Sequence, residues 1–223
     1  MRSCQLRELG RVDYPAAFEL QQQLVAERKQ GLIPDQLLLL EHPPVITLGR
    51  NGRMENLLAG GEVLRRAGIS FYPTDRGGDV TYHGPGQLVG YPILDLREWS
   101  RDVGAYVRSL EQVLIDALAD FGIRAGRIPG LTGVWVGEHK IAAIGVHISR
   151  WVTSHGFALN VTTDLSCFQY IVPCGLSKPV TSMSRLGTAA RLDEVSRSLA
   201  VHFGRVFDCE MLREAPALAN PLR

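Results

Sequence analysis

Residues 134 to 161 read VWVGEHKIAAIGVHISRWVTSHGFALNV, and this stretch decides the fold class. Val134-Trp135-Val136 and the run from Lys140 to Ile148 are apolar and largely β-branched or aromatic, parted by Gly137, Glu138 and His139, residues that suit a turn. The pattern predicts a β-hairpin, with a further strand from Gly156 to Val161. In extended chain the side chains alternate, which puts Lys140 on one face with Ala142, Ile144, Val146 and Ile148. Strands that follow one another through short turns pair antiparallel and do not build a doubly wound sheet.

Helices bracket this region. Pro15 behind Asp13 marks a helix start, and Ala17, Leu20, Leu24 and Val25 repeat at helical spacing until Gly31. A second helix runs from Asp102 to about Phe121, with Val103, Tyr106, Val107, Leu110, Val113, Leu114, Ala117 and Leu118 on one stripe. A third spans Asp193 to Phe207, carrying Val195, Leu199, Phe203 and Val206. Leu37 to Leu40 and Val45 to Leu48 read as short buried strands broken at His42-Pro43-Pro44, because proline cannot continue a ladder. The prolines and alanines after Met211 read as a loosely held tail. The order of elements predicts an α+β fold with an antiparallel or mixed sheet flanked by helices, and the 223 residues suit one domain, 1–223.

With 45% apolar and 21% charged residues the composition is that of an ordinary globular chain. No apolar run is long enough for a membrane span or a signal peptide, so a cytoplasmic location is expected. A formal net charge of +1 lacks the basic excess of a nucleic-acid binder. The four cysteines, at 4, 167, 174 and 209, form no Cys-x-x-Cys pair and are expected to be reduced. Only Lys29, Lys140 and Lys178 among the 24 basic residues are lysines, which raises the weight of each, since lysine titrates readily when buried.

Three places hold residues that a plain strand or helix does not need. Arg76 to Gln87, RGGDVTYHGPGQ, is either a glycine-shaped loop that approaches a ligand or a long turn feeding the strand at Leu88. Lys140 on an apolar face either snorkels to water or, desolvated, serves as a proton carrier near neutral pH. Cys174, between Pro173 and Gly175, reads as a turn residue where a thiol and neighbouring N–H groups can meet a carbonyl substrate, whereas Cys4, Cys167 and Cys209 read as small buried apolar residues. No dinucleotide or phosphate-loop glycine spacing and no G-x-S-x-G elbow occurs. His139, His147 and His155 recur every eight residues, with Cys167 and Cys174 downstream, but no spacing fits a compact zinc pattern, and no metal is expected.

Taken together, RGGDVTYHGPGQL at 76–88, GEHKIAAIGVHISRWVTSHGFALNV at 137–161 and PCGL at 173–176 resemble the lipoate-protein transferase B family, the octanoyl-[acyl carrier protein]–protein octanoyltransferases. The R-G-G-x-x-T-x-H element falls on Arg76, Gly77, Gly78, Thr81 and His83, and the family's catalytic pair on Lys140 and Cys174. The resemblance implies a catalytic core at about 31–210 with the fold of biotin and lipoate protein ligases. It implies an acyl pocket lined by Arg76, Gly77, Gly78, Asp79, Val80, Thr81, Tyr82 and His83, by Ala143, Ile144 and Gly145, and by Gly156, Phe157 and Ala158. Small residues there leave room beside the backbone for an alkyl chain.

The implied reaction moves an octanoyl or lipoyl group from acyl carrier protein to a lysine of a lipoyl domain through a thioester on Cys174, with Lys140 as acid and base. Backbone N–H groups near Gly77, Gly78 and Cys174 are expected at the oxyanion, with His83 orienting the site. The implied donor is octanoyl-acyl carrier protein, whose phosphopantetheine carries the acyl group; the acceptors are lipoyl domains of 2-oxoacid dehydrogenases and the glycine cleavage H protein. Neither ATP, metal, nucleic acid nor membrane is called for. The alternatives are an ATP-dependent lipoate or biotin ligase, which needs no nucleophilic cysteine, and a non-catalytic acyl- or lipoyl-binding module; Pro173-Cys174-Gly175 favours the transferase.

Overall fold

The computed structural model describes residues 2–172 and 178–213, so Cys174, within PCGL, lies outside the described residues. In chain order the strands and α-helices are β1 (Arg2–Arg11), α1 (Tyr14–Lys29), β2 (Asp35–Glu41), β3 (Val45–Leu48), α2 (Gly61–Arg66), β4 (Ser70–Pro73), β5 (Val80–His83), β6 (Gln87–Ile93), α3 (Val103–Ala119), β7 (Gly126–Ile128), β8 (Leu131–Val136), β9 (His139–Ser149), β10 (Val152–Asn160), α4 (Leu192–Phe207) and β11 (Cys209–Arg213). The larger sheet has the order β11-β1-β2-β6-β10-β9-β8-β7, parallel in its first two pairs and antiparallel thereafter. A smaller sheet, β4-β3-β5, stands apart from it. Among the described residues no helix is long and apolar enough to cross a membrane.

The leucine run at 37–40 shows why the large sheet is central. Leu37 and Leu39 join the core beneath α3 and α4, while Leu38 and Leu40 pack with Ala17 and Leu24 of α1 on the opposite face. A strand covered on both sides loses the polar–apolar alternation and reads as continuous apolar sequence. The His42-Pro43-Pro44 break then does more than interrupt a strand: it carries the chain from the large sheet (β2) to the small one (β3).

The structure departs from the sequence reading at three places. Val80–His83 inside the glycine-rich run is a strand, paired with β3, because Val80 and Tyr82 have an apolar cluster to fill with Ile46, Leu64 and Ile171. Cys209–Arg213 form β11, a strand the sequence reading did not foresee, which pairs in parallel with β1; the prolines and alanines read as a loose tail lie outside the described residues. The third departure concerns Lys140. Trp135 pairs with Lys140 and Val134 with Ala142, leaving Ile141 as a surplus residue on β9. Such a bulge turns two successive side chains to one side. Ile141 and Ala142 both enter the α3–α4 core, and Lys140 is thereby set on the opposite face with Ala143 instead of with Ala142.

A buried ion cluster ties the first elements together. Asp35, at the head of β2 and 2% exposed, accepts hydrogen bonds from Arg2 (2.6 Å), Arg28 of α1 (2.8 Å) and the Asp95 N–H (2.9 Å). Removing one partner of such a cluster strands the other charges in a low-dielectric site. Asp35→Ala is expected to cost about 3–5 kcal/mol, read as a lowered urea midpoint at unchanged slope; a loss under about 1 kcal/mol would mean water replaces the carboxylate.

Candidate functional site

A cleft partly open to solvent lies between the 76–83 segment and the β9–β10 hairpin, with Tyr14 of α1 and Tyr91 of β6 among its lining residues. Its floor is built from cross-strand partners: Ala143 sits directly opposite Ala158, and Gly145 opposite Gly156. Two small pairs in succession hollow a groove along the strands, since directly opposite residues bring their Cβ atoms within about 5 Å of one another. The absence of a side chain at Gly145 is required by its neighbour. A Cβ there would stand 2.9 Å from the Gly77 carbonyl oxygen, and the Gly77 N–H donates to the Val146 carbonyl at 2.9 Å. The 76–78 turn therefore lies directly on β9, backbone against backbone.

The cleft has a polar side. The Tyr91 hydroxyl donates to His42 Nε2 and His42 Nδ1–H donates to the Val12 carbonyl, both at 2.7 Å. His83 Nδ1 meets Gln87 Oε1 at 2.7 Å, and its ring stacks on Tyr14. Burial pushes His83 down to about 3 and His42 down to about 4, so both rings stay neutral. His155 bonds Asp75 through Nε2 at 2.7 Å, and that bond is the main cause holding the Asp75 carboxyl below its ordinary range.

A second, smaller cavity adjoins the first. Lys140 lines it with Gln87, Asn160, Phe168 and Val180, and the two cavities share Thr81, Ala143 and Ala158. Lys140 is 9% exposed, and its Nζ lies 4.8 Å from the centre of the Trp135 ring, within range of a cation–π attraction. Its backbone is also engaged: the Lys140 N–H donates to the Pro179 carbonyl and the Thr181 N–H to the Lys140 carbonyl, each at 2.9 Å. The segment that follows Cys174 and Ser177 in the chain is thus laid along β9 at Lys140, while Val172, on the other side of PCGL, donates to the Asn56 carbonyl at 2.8 Å.

Of the pocket residues expected from sequence, Arg76, Gly78, Thr81, His83, Ala143, Ile144, Gly145, Gly156, Phe157 and Ala158 line the larger cavity. Gly77, Asp79, Val80 and Tyr82 do not. Val80 and Tyr82 alternate to the far side of β5, and the Asp79 carboxylate binds the N–H groups of Val80 and Arg53 and the Asn56 amide. The Arg76 guanidinium grips the Thr47 carbonyl (2.8 Å) and hydroxyl and the Gly77 carbonyl. The Gly77 N–H, expected at an oxyanion, is committed to Val146 and is not available for one. Tyr14, Tyr91, His155, Gln87 and Asn160 were missed; the one available signal was the pairing of histidine with glycine at 155–156, and His155 does take a left-handed backbone, φ 55°. The eight-residue histidine recurrence assembles no shared site. His147 and His155 both approach Asp75, His139 lies at the other end of β9, and among the described residues no group of three or more metal-ligating side chains is arranged to hold an ion.

Residues 13–204 match the family model of the lipoyl protein ligase A/B catalytic domain. An octanoyltransferase of Solibacter usitatus is 73% identical over 219 residues, covering 98% of this chain and all of that protein. Among solved structures, a putative lipoate protein ligase from T. acidophilum superposes with a TM-score of 0.76 at 17% identity, covering 98% of this chain and 90% of that one. Biotin protein ligase from Aquifex aeolicus superposes with 0.53 at 12% identity, covering 92% and 69%. At such identities these two show the shared fold, as the α+β reading expected.

The neutral histidines make acid stability a direct test of the site's packing. His42 and His83 take up protons near pH 6.5 when unfolded but only near 4 and 3 when folded. Between those limits the unfolded chain binds more protons, so stability is complete above about 6.5 and falls as the pH drops through that window, by up to about 1.4 kcal/mol per pH unit for each ring. The urea midpoint is expected to decline from neutral pH toward pH 4, with a shallower decline in His83→Asn. A midpoint flat across this range would show that the rings are charged in the folded protein.

Proposed function

The chain belongs to the lipoyl protein ligase A/B catalytic domain family and, within it, to the octanoyltransferases; we propose that it carries the acyl group as a thioester on Cys174, with Lys140 as proton carrier. The donor is octanoyl-acyl carrier protein and the acceptor is the lysine of a lipoyl domain. Cys174 thiolate attacks the donor's thioester carbonyl, and the phosphopantetheine thiol leaves with a proton. One thioester replaces another, so the step is close to balanced and needs no ATP. The acceptor amine then attacks the octanoyl-Cys174 carbonyl, loses a proton and forms an amide, while the cysteine leaves as thiol. Amide formation makes the second step downhill.

The observation that carries the reading is the shared wall of the two cavities. An apolar slot floored by Ala143/Ala158 and Gly145/Gly156 opens beside the single buried lysine side chain among the described residues. An alkyl chain lying in the slot would present its carbonyl toward Lys140. A lysine in a part-apolar cavity can hold an anionic sulfur and also exchange its proton, which an arginine cannot. The chain leading out of the Cys174 segment is paired with the same lysine, which supports their acting together.

The test is to incubate the protein with octanoyl-acyl carrier protein and an apo lipoyl domain, without ATP, and to weigh the domain and the peptides. Octanoylation of the domain and an acyl adduct on Cys174 are expected; Cys174→Ala should form no adduct. Lys140→Arg keeps the charge and should lose roughly 10²- to 10⁴-fold in transfer. An adduct on Cys167 with Cys174 unmodified would refute the mechanism, and full activity of Lys140→Arg would reduce that lysine to a structural cation.

A further inference from the structure

Gln87 opens β6, Asn160 closes β10, and the two are direct cross-strand partners. Both are buried, at 2% and 4% exposed, and both line the Lys140 cavity, where apolar side chains would pack at lower cost. Their amides form one directed chain. Its end is fixed by a backbone carbonyl, which can only accept: Asn160 Nδ2 donates to the Thr181 carbonyl at 3.0 Å. Asn160 Oδ1 therefore accepts, from Gln87 Nε2 at 2.9 Å, and Gln87 Oε1 in turn accepts from His83 Nδ1–H at 2.7 Å. The Asn160 carbonyl also receives the Met183 N–H at 3.0 Å. Asn160 thus holds the 181–183 chain by side chain and backbone together, one residue beyond the Val180 bridge to Lys140.

We propose that Asn160 is a positioning residue for acyl transfer, supported by Gln87, and that its amide sets how the chain running on from Cys174 lies against Lys140. The inference rests on the Cys174–Lys140 reading above. A nucleophile and its proton carrier must be registered closely, and a displacement of about 1 Å can cost on the order of 100-fold in rate. Backbone pairing at Pro179 and Thr181 fixes spacing along β9, and the Asn160 bond fixes the lateral position of the same segment. Asn160 does this by holding Thr181, at one remove from the reacting atoms.

Asn160→Asp separates positioning from packing. It keeps the shape and the acceptor for Gln87, but an ionised carboxylate sets an oxygen against the Thr181 carbonyl, whereas the protonated acid restores a donor there. The nearby titratable groups are Lys140 in the same cavity and His83 beyond Gln87. With a small octanoyl thioester as donor, octanoyl-Cys174 formation by Asn160→Asp is expected to fall roughly 10- to 100-fold at alkaline pH. KM should be little changed, the rate should recover relative to wild type as the pH falls, and the pH profile of Cys174 alkylation should shift upward. Gln87→Met, which keeps volume and removes the bond orienting Asn160, should give a smaller loss of the same kind. If the wild type acylates Cys174 and both variants match its rate and alkylation profile, or lose rate at every pH in step with a lowered melting temperature, Asn160 is structural only and the proposal fails. If the wild type itself forms no octanoyl-Cys174, the mechanism beneath the proposal fails first.

Discussion

A single surplus residue in β9 governs the arrangement of this protein. Because Ile141 has no partner on β8, it and Ala142 both turn into the α3–α4 core, and Lys140 faces the other way. From there onward alternate residues of β9 keep that phase, so Ala143 and Gly145 look into the cleft. A regular strand would have placed either Lys140 in the apolar core or Ala143 and Gly145 away from the cleft. The bulge reconciles a lysine and a smooth alkyl slot on the same face, each with its own cavity and a shared wall.

The second constraint is the contact of backbone on backbone where the 76–78 turn meets Gly145 and Val146. The small sheet is otherwise joined to the large one by chain crossings and by side chains such as Tyr14, whose hydroxyl bonds Thr74 at 2.9 Å. Arg76 reinforces the contact from the small-sheet side by filling the acceptors of Thr47 and Gly77. Its role in the glycine-rich motif is to hold the turn in place, so that the motif's other residues, Thr81 and His83, can face the cleft.

Much of this was legible in the sequence, and the failures have physical causes. The α3 helix could be read because its apolar stripe and its Asp102 cap agree, and that carboxylate does accept the Ala105 N–H at 2.8 Å. The hairpin was legible from its turn residues. The bulge was not: Ile141, Ala142, Ala143 and Ile144 are all apolar, so nothing in their order records which two share a face. Strand β5 was hidden by the glycines around it, although Val80 and Tyr82 do alternate with Thr81 and His83. Strand β11 was hidden because an edge strand with one covered face needs few apolar residues. The pocket's motif residues were found through resemblance, while Tyr14 of α1, Gln87 and Tyr91 of β6, and His155 and Asn160 of β10 meet only in the folded chain. The roles proposed for Cys174 and Lys140 rest on their motif and on the cavity beside the lysine.

The edge of the large sheet carries a consequence for how the molecule is made. Strand β1 lies between β2 and β11, with Arg2 paired to Cys209 in parallel register. During synthesis β1 emerges long before its outer partner, with all the other strands and helices made in between. Until then one row of its backbone N–H and C=O groups stays unpaired, an exposed template for another nascent chain. The edge strand can complete the sheet only after release of the distal residues, and closing so long a loop makes that late pairing slow relative to the local hairpins. The Cys209–Arg213 strand thus acts as a closing seam, and the ribosome-bound chain is most vulnerable to misassociation just before it forms.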